Sequence, residues 1–194
     1  MYNVRKAVGK YFERKLGRIF GLIEVDIADR GDKPDLSTAD SKIYFESKAS
    51  HYKNGGVIKG NQLKVFEREG YDCLFAFQYH SLLGISKRFP SKTSLLRALK
   101  LRAMFIFPFE VVKSFYGTPS VRVFHHPHLG DMDFAQVTEK QAADIFNGDP
   151  NTWKLLGLDY SKYCRKQPHD KVNIMCKDEK TLEKLLDDFN PDAV

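Results

Sequence analysis

Residues 33–50 read KPDLSTADSKIYFESKAS, and this run decides between a hairpin that only packs and one that carries chemistry. Pro34-Asp35 belongs to a turn, and residues 41–50 have strand character. With the strand period of two, Ile43 and Phe45 share one face while Tyr44, Glu46 and Lys48 share the other. A strand that only packs has no need of a carboxylate and an amine two residues apart on one face. Two readings therefore stand side by side. In one, Asp35 caps its own turn and Glu46 and Lys48 line a solvated face with cross-strand ion pairs. In the other, the three groups serve a common ligand.

Upstream of this run, Val4, Val8, Tyr11, Phe12, Leu16, Ile19 and Phe20 recur at helical spacing as far as Gly21, which predicts an amphipathic opening helix. Residues 22–30 (LIEVDIADR) alternate like a strand. Downstream, residues 51–60 (HYKNGGVIKG) read as a glycine-rich basic loop and residues 61–70 (NQLKVFEREG) as a helix stopped by Gly70. Residues 71–80 (YDCLFAFQYH) read as a buried strand. Residues 91–104 (SKTSLLRALKLRAM) predict a helix with Leu95, Leu96, Leu99 and Ala103 inward and Arg97 and Lys100 outward. Residues 105–117 (FIFPFEVVKSFYG) and 120–126 (SVRVFHH) read as strands. Thr138 and Gln141 have capping-box spacing. Asp149-Pro150 opens a short helix that Gly157 ends, and residues 178–189 form a closing helix. With no internal repeat and no low-complexity segment, one α/β domain is expected over residues 1–194. Residues 1–80 hold the motifs. Residues 81–194 supply the remaining sheet, a basic helix and a C-terminal α+β extension.

The apolar fraction of 42% and aromatic fraction of 13% in 194 residues are those of a globular chain with a sizeable core, which excludes a disordered one. No apolar run approaches the ~20 residues that span a bilayer, so no membrane association is expected. The N-terminal residues lack a secretory apolar region, which predicts a cytosolic protein. The three cysteines (Cys73, Cys164, Cys176) fit free thiols better than a disulfide framework. The net charge is +6, and it is unevenly placed. Residues 81–109 carry Lys87, Arg88, Lys92, Arg97, Lys100 and Arg102 without one acid, whereas residues 177–194 hold six acids against three lysines. A basic body points to a polyanionic partner, nucleic acid foremost.

Hydrolysis of a phosphodiester needs a cation that neutralises phosphate charge and acidifies a water, and a group that positions that water. Mg²⁺ takes oxygen ligands, commonly one or two carboxylates with several waters retained. Asp35 and Glu46 supply two carboxylates if their strands lie side by side, and Lys48 projects from the same face as Glu46. The arrangement Pro34-Asp35, ten residues, then Glu46-Ser47-Lys48 resembles the P-D…(D/E)-x-K signature of the restriction-endonuclease-like nuclease superfamily. The order of elements also resembles that family: a helix with a glutamate (Glu13), a strand, the P-D turn, the E-x-K strand, then a helix with a glutamine (Gln62). GKYFERKL (residues 9–16) is similar to the opening helix of archaeal Holliday junction resolvases. Gln62 stands where RecB-like members carry a glutamine motif, with Phe66 at the position of their tyrosine.

The resemblance implies a restriction-endonuclease-like core, a mixed β-sheet flanked by helices, and a Mg²⁺-dependent DNA endonuclease for which Mn²⁺ substitutes. It implies Asp35, Glu46 and the backbone carbonyl of Ser47 as metal ligands, and Glu13 on a second metal or on the first metal's water. Lys48 would position and activate the attacking water, and Gln62 would orient that water or a phosphate. Branched, Holliday-junction-like DNA and a homodimer follow from the same likeness. Single-stranded or flapped DNA is the alternative substrate, and a non-catalytic basic DNA-binding module the alternative class.

Candidate DNA contacts are Lys53 and Lys59 in the glycine-rich segment and Arg88, Arg97 and Lys100 in the acid-free segment. Phe89 is either a stacking side chain or core. Gly9 and Gly17 lie one turn to either side of Glu13. Glycine in a helix interior costs about 1 kcal/mol relative to Ala, so the pair suggests close approach of DNA or of the sheet. His125, His126, His128, Asp131 and Asp133 form a second polar cluster, with Cys164, His169 and Cys176 further on. None has zinc-site spacing, and a polar loop is expected there.

Overall fold

A computed structural model describes residues 4–25, 33–71, 73–81, 92–99, 101–127, 132–146 and 175–176. The expected helices at Asp149-Pro150 and at residues 178–189 lie outside the described residues. Five helices are described: α1 (Val4–Phe20), α2 (Gly60–Glu69), α3 (Lys92–Ala98), α4 (Phe109–Phe115) and α5 (Glu139–Phe146). Nine strands accompany them: β1 (Ile23–Glu24), β2 (Leu36–Ser37), β3 (Tyr44–His51), β4 (Gly56–Lys59), β5 (Cys73–His80), β6 (Leu101–Pro108), β7 (Val123–His126), β8 (Met132–Val137) and β9 (Met175–Cys176).

A mixed six-stranded sheet runs β1-β2-β3-β5-β6-β9, in which only β3 and β5 are parallel. Strand β5 is central and all eight of its residues are buried, which is why its sequence shows a continuous apolar run. Its side chains alternate between two cores. Leu74 and Ala76 meet α1 and α3 with Phe12, Leu16, Phe45, Leu95 and Met104. Phe75, Phe77 and Tyr79 meet α2, α4, α5 and the second sheet with Phe66, Phe107, Val112, Phe115 and Ile145. Phe12 and Phe77 are fully buried anchors of the two cores, and truncating either to Ala would cost about 3–5 kcal/mol.

The second sheet, β4-β8-β7, is antiparallel and lies on the Phe77 side of the large one. The segment read as a loop at residues 51–60 is a tight turn followed by strand β4, with Ile58 buried and Val57 exposed. Two glycines make that possible. Gly55 has φ +79°, and a Cβ there would lie 2.8 Å from the carbonyl carbon of Val137. At Gly56 a Cβ would lie 2.8 Å from the Phe77 ring and 3.2 Å from Lys48 Cβ. Glycine here seats one sheet on the other, and the Tyr79 hydroxyl fastens the contact by donating to the Val137 carbonyl at 2.7 Å.

Two further boundaries differ from expectation. The helix read over residues 91–104 ends at Ala98, and Leu101 already begins β6. The strand read over residues 105–117 stops at Pro108, which offers no N–H to extend the ladder. Phe109, Val112 and Phe115 then fall on one side of α4 and are buried. Thr138 and Gln141 do form a capping box: the Gln141 N–H donates to Thr138 Oγ1 at 3.3 Å, and the Thr138 N–H to Gln141 Oε1 at 2.8 Å. Cys73 is buried on β5. Among the described residues no helix is long and apolar enough to cross a membrane.

Candidate functional site

Strand β2 pairs antiparallel with β3, Leu36 opposite Phe45 and Ser37 opposite Tyr44. The register sets Asp35, just before β2, against the Glu46–Ser47 step of β3. There Asp35 Oδ2 accepts the Ser47 backbone N–H at 2.9 Å. So Asp35 does not cap its own turn in this structure; its carboxylate crosses to the E-x-K strand. Turn capping falls instead to Thr38 and Asp40, the latter accepting from Thr38 Oγ1 at 2.6 Å and held down to about 2 by that bond and by Lys42.

Glu46 and Lys48 share one face of β3, as the strand period requires. The Lys48 ammonium donates to Glu46 Oε1 at 2.6 Å and to Gln62 Oε1 at 2.9 Å. Helix α2 presents Gln62 one turn after the β4 strand, so the two glycines that seat β4 also position this amide. Glu46 is buried, and its second oxygen, Oε2, has no hydrogen-bond partner among the described residues. The Asp35 carboxyl is pushed up to about 7, first by burial and next by the Glu46 charge, with Lys48 and the Ser47 N–H opposing. The neighbourhood thus holds more negative charge than its lysine neutralises.

Glu13 is buried on α1 and adds the smallest of the charges that raise Asp35. Its Oε1 accepts from Lys10 Nζ at 2.7 Å, and Lys10 also reaches Glu24 of β1 at 2.6 Å. Among the described residues no three His, Cys, Asp or Glu side chains gather closely enough to hold a metal between them. Glu13 therefore does not complete a three-acid cage with Asp35 and Glu46. Of the glycines beside it, Gly17 packs within van der Waals reach of Leu22 and Leu36, whereas Gly9 faces open space. A Cβ at Gly17 would lie 3.4 Å from the Leu22 carbonyl oxygen and 3.9 Å from Leu36, which are ordinary contacts, so neither glycine marks the close approach expected from the sequence.

Two residues that matter here were not singled out from sequence. Gln78 is fully buried on β5 and donates to Ser47 Oγ at 2.9 Å, bracing the residue between Glu46 and Lys48. Its signal was a polar side chain inside an apolar run. Lys10 ties Glu13 to Glu24, and its signal was its place three residues before Glu13 on the opening helix.

The predicted DNA contacts divide. Lys53 is exposed and stands 5.6 Å over the Tyr52 ring, and Lys59 is exposed at the end of β4. Arg97 is exposed on α3, while Arg88, Phe89 and Lys100 lie outside the described residues. Arg102 is engaged by Glu139 at 2.7 Å and covers Tyr52 at 4.6 Å. The histidine cluster read as a loop is partly a hairpin: His125 and His126 are on β7 and Asp133 on β8, with His125 Nδ1 2.8 Å from Asp133 Oδ1. His128, Asp131, Cys164 and His169 lie outside the described residues. Comparison with protein families, with curated proteins and with solved structures gives no significant match.

Proposed function

We propose that the chain is a Mg²⁺-dependent DNA endonuclease with a restriction-endonuclease-like core, acting on branched DNA as a homodimer, with Mn²⁺ an alternative ion. The observation that carries this reading is the grouping of Asp35, Glu46, Lys48 and Gln62 at the β2–β3–α2 corner. A carboxylate pair is short of positive charge there, and an ammonium is clamped beside it. The mixed sheet, with α1 on one face and α2 following the E-x-K strand, supports the same core.

The donor set fits a hard divalent cation. Glu46 Oε2 is a buried oxygen with no partner among the described residues, and Asp35 is protonated more readily than an ordinary carboxyl, first because it is buried and next because the Glu46 charge outweighs the opposing Lys48. Two carboxylates suffice for an ion that keeps several waters. Asp35, Glu46 and the Ser47 carbonyl would hold it, and when bound it supplies phosphate charge neutralisation and a more acidic water. Lys48 uses two of its three N–H donors on Glu46 and Gln62, which leaves the third for a water or phosphate oxygen. Gln62 acts through Lys48: its amide oxygen holds the ammonium in place. Glu13, paired with Lys10, contributes long-range negative charge to the site. Lys53, Lys59 and Arg97 supply phosphate contacts.

The test is incubation with labelled four-way junction, flap, single-stranded and duplex DNA in Mg²⁺, Mn²⁺, Ca²⁺ or EDTA. Cutting in Mg²⁺ and Mn²⁺, with binding but little cutting in Ca²⁺ and none in EDTA, is expected. Binding without cutting of any substrate would make the chain a DNA-binding module.

A further inference from the structure

The outward face of the small sheet is built unlike an ordinary solvated surface. Residues 57 and 59 of β4, 132, 134 and 136 of β8, and 122, 124 and 126 on and just before β7 point away from the core by the strand period. Register lines them up in rows across the sheet. Lys59 stands opposite Phe134 and Phe134 opposite Phe124, with Val57 opposite Gln136 to one side and Met132 opposite His126 to the other. Phe124 is 51% exposed and Val57 38% exposed, so this apolar surface is left in solvent. The two phenylalanine rings lie 5.9 Å apart at 35°, and His126 is 6.2 Å from the Phe134 ring. No carboxylate points outward in these rows. Among the described residues the charged groups on this face are Lys59 and Arg122, both exposed, which suits an anionic partner with flat apolar surfaces.

We propose that this face is a stacking platform for an unpaired DNA strand, with bases on Phe124 and Phe134 and a backbone phosphate on Lys59. An unpaired strand offers base faces and phosphates together, whereas in duplex DNA the base faces are already stacked. The location also fits. Lys59 is three residues from Gln62, at most about 11 Å along the chain, a distance that a nucleic-acid strand covers in a few nucleotides. The proposal rests on the nuclease reading and narrows it: the DNA that is cut carries an unpaired segment within a few nucleotides of the scissile bond.

The experiment measures binding of fluorescein-labelled oligo(dT) and of a duplex of equal length in Ca²⁺ by anisotropy, for wild type, Phe124→Ala, Phe124→Tyr and Lys59→Ala. Phe124→Ala should weaken oligo(dT) binding about tenfold or more and leave duplex binding unchanged, while Phe124→Tyr restores it. Lys59→Ala should reduce the salt slope for oligo(dT) by about 0.7. Equal oligo(dT) affinity in wild type and Phe124→Ala would overturn the platform. So would loss of self-association in Phe124→Ala, by sedimentation, with oligo(dT) binding intact, because the face would then join two copies of the chain. Oligo(dT) binding that depends on Phe124 without Mg²⁺-dependent cutting of any DNA would overturn the nuclease reading and leave the platform standing.

Discussion

Asp35→Asn isolates the charge imbalance at the β2–β3 corner. The amide keeps the shape of the carboxylate and its oxygen still accepts the Ser47 N–H. It removes a group whose pKa folding raises from 3.8 to about 7. The native state then binds this proton more tightly than the unfolded chain does. The stability linked to it is complete below pH 3.8, declines as the pH rises, and is lost above about 7. Each pH unit in that window is worth about 1.4 kcal/mol, so the ionised carboxylate costs the metal-free native state about 4 kcal/mol at pH 8. For a chain of this size 1 kcal/mol moves Tm by about 2–4 °C, so even half of that cost is about 4–8 °C. Scanning calorimetry in EDTA should therefore show Asp35→Asn melting above wild type at pH 8, with the gain gone by pH 4. Mg²⁺ at pH 8 should raise the wild-type Tm and leave the variant where it is. An Asp35→Asn protein that melts at or below wild type at pH 8 in EDTA would refute this reasoning, since the carboxylate would then be fully compensated in the metal-free fold.

His80 works in the opposite sense. Burial first, then His51, depresses its pKa from 6.5 to about 4, so its contribution to stability is present above pH 6.5 and lost as the pH falls through 4. His80→Phe keeps a ring in place of the imidazole stacked on Phe12 and should flatten the fall in urea midpoint between pH 6.5 and 4; an unchanged pH slope would contradict this. Gly56→Ala drives a Cβ into Phe77 and Lys48 and should cost about 1–3 kcal/mol in denaturant unfolding, with weaker cutting; a wild-type midpoint would mean that β4 is not packed this closely. Lys48→Met keeps the side-chain stem but removes the ammonium, so cleavage should stop while Mn²⁺ binding in the presence of uncleavable DNA, read by calorimetry, persists. Near-normal cutting by this variant would remove Lys48 from the chemistry.

The E-x-K strand was readable because its period of two and its charges agree, and the flanking helices because α1 and α2 keep a helical apolar stripe. Strand β4 was hidden by Gly55 and Gly56, which look like loop residues when their packing partners, Val137 and Phe77, are unseen. Helix α4 was hidden for a different reason. Phe, Val and Val favour strands locally, and only burial of Phe109, Val112 and Phe115 against the core makes the helical spacing win. At the site, spacing put Glu46 and Lys48 on one face but gave no sign that Gln62 would hold the ammonium. That contact depends on how β4 leads into α2. Lys10 stands three residues before Glu13 on α1, so that pair was open to a reading by helical spacing, whereas its second contact, with Glu24 of β1, was not. Pairings between distant elements are fixed by tertiary packing, which a local pattern does not encode.

The most direct test of the central claim is the rate at which wild type and Glu46→Gln cut the same labelled branched DNA in Mg²⁺. Glu46→Gln removes the charge of a carboxylate whose Oε2 is buried without a partner among the described residues, and retains an oxygen for Lys48. The account predicts Mg²⁺-dependent cutting by wild type, and a variant that binds the DNA as well or more tightly but does not cut it. Equal cutting by the two proteins, or cutting that continues in EDTA, would contradict it.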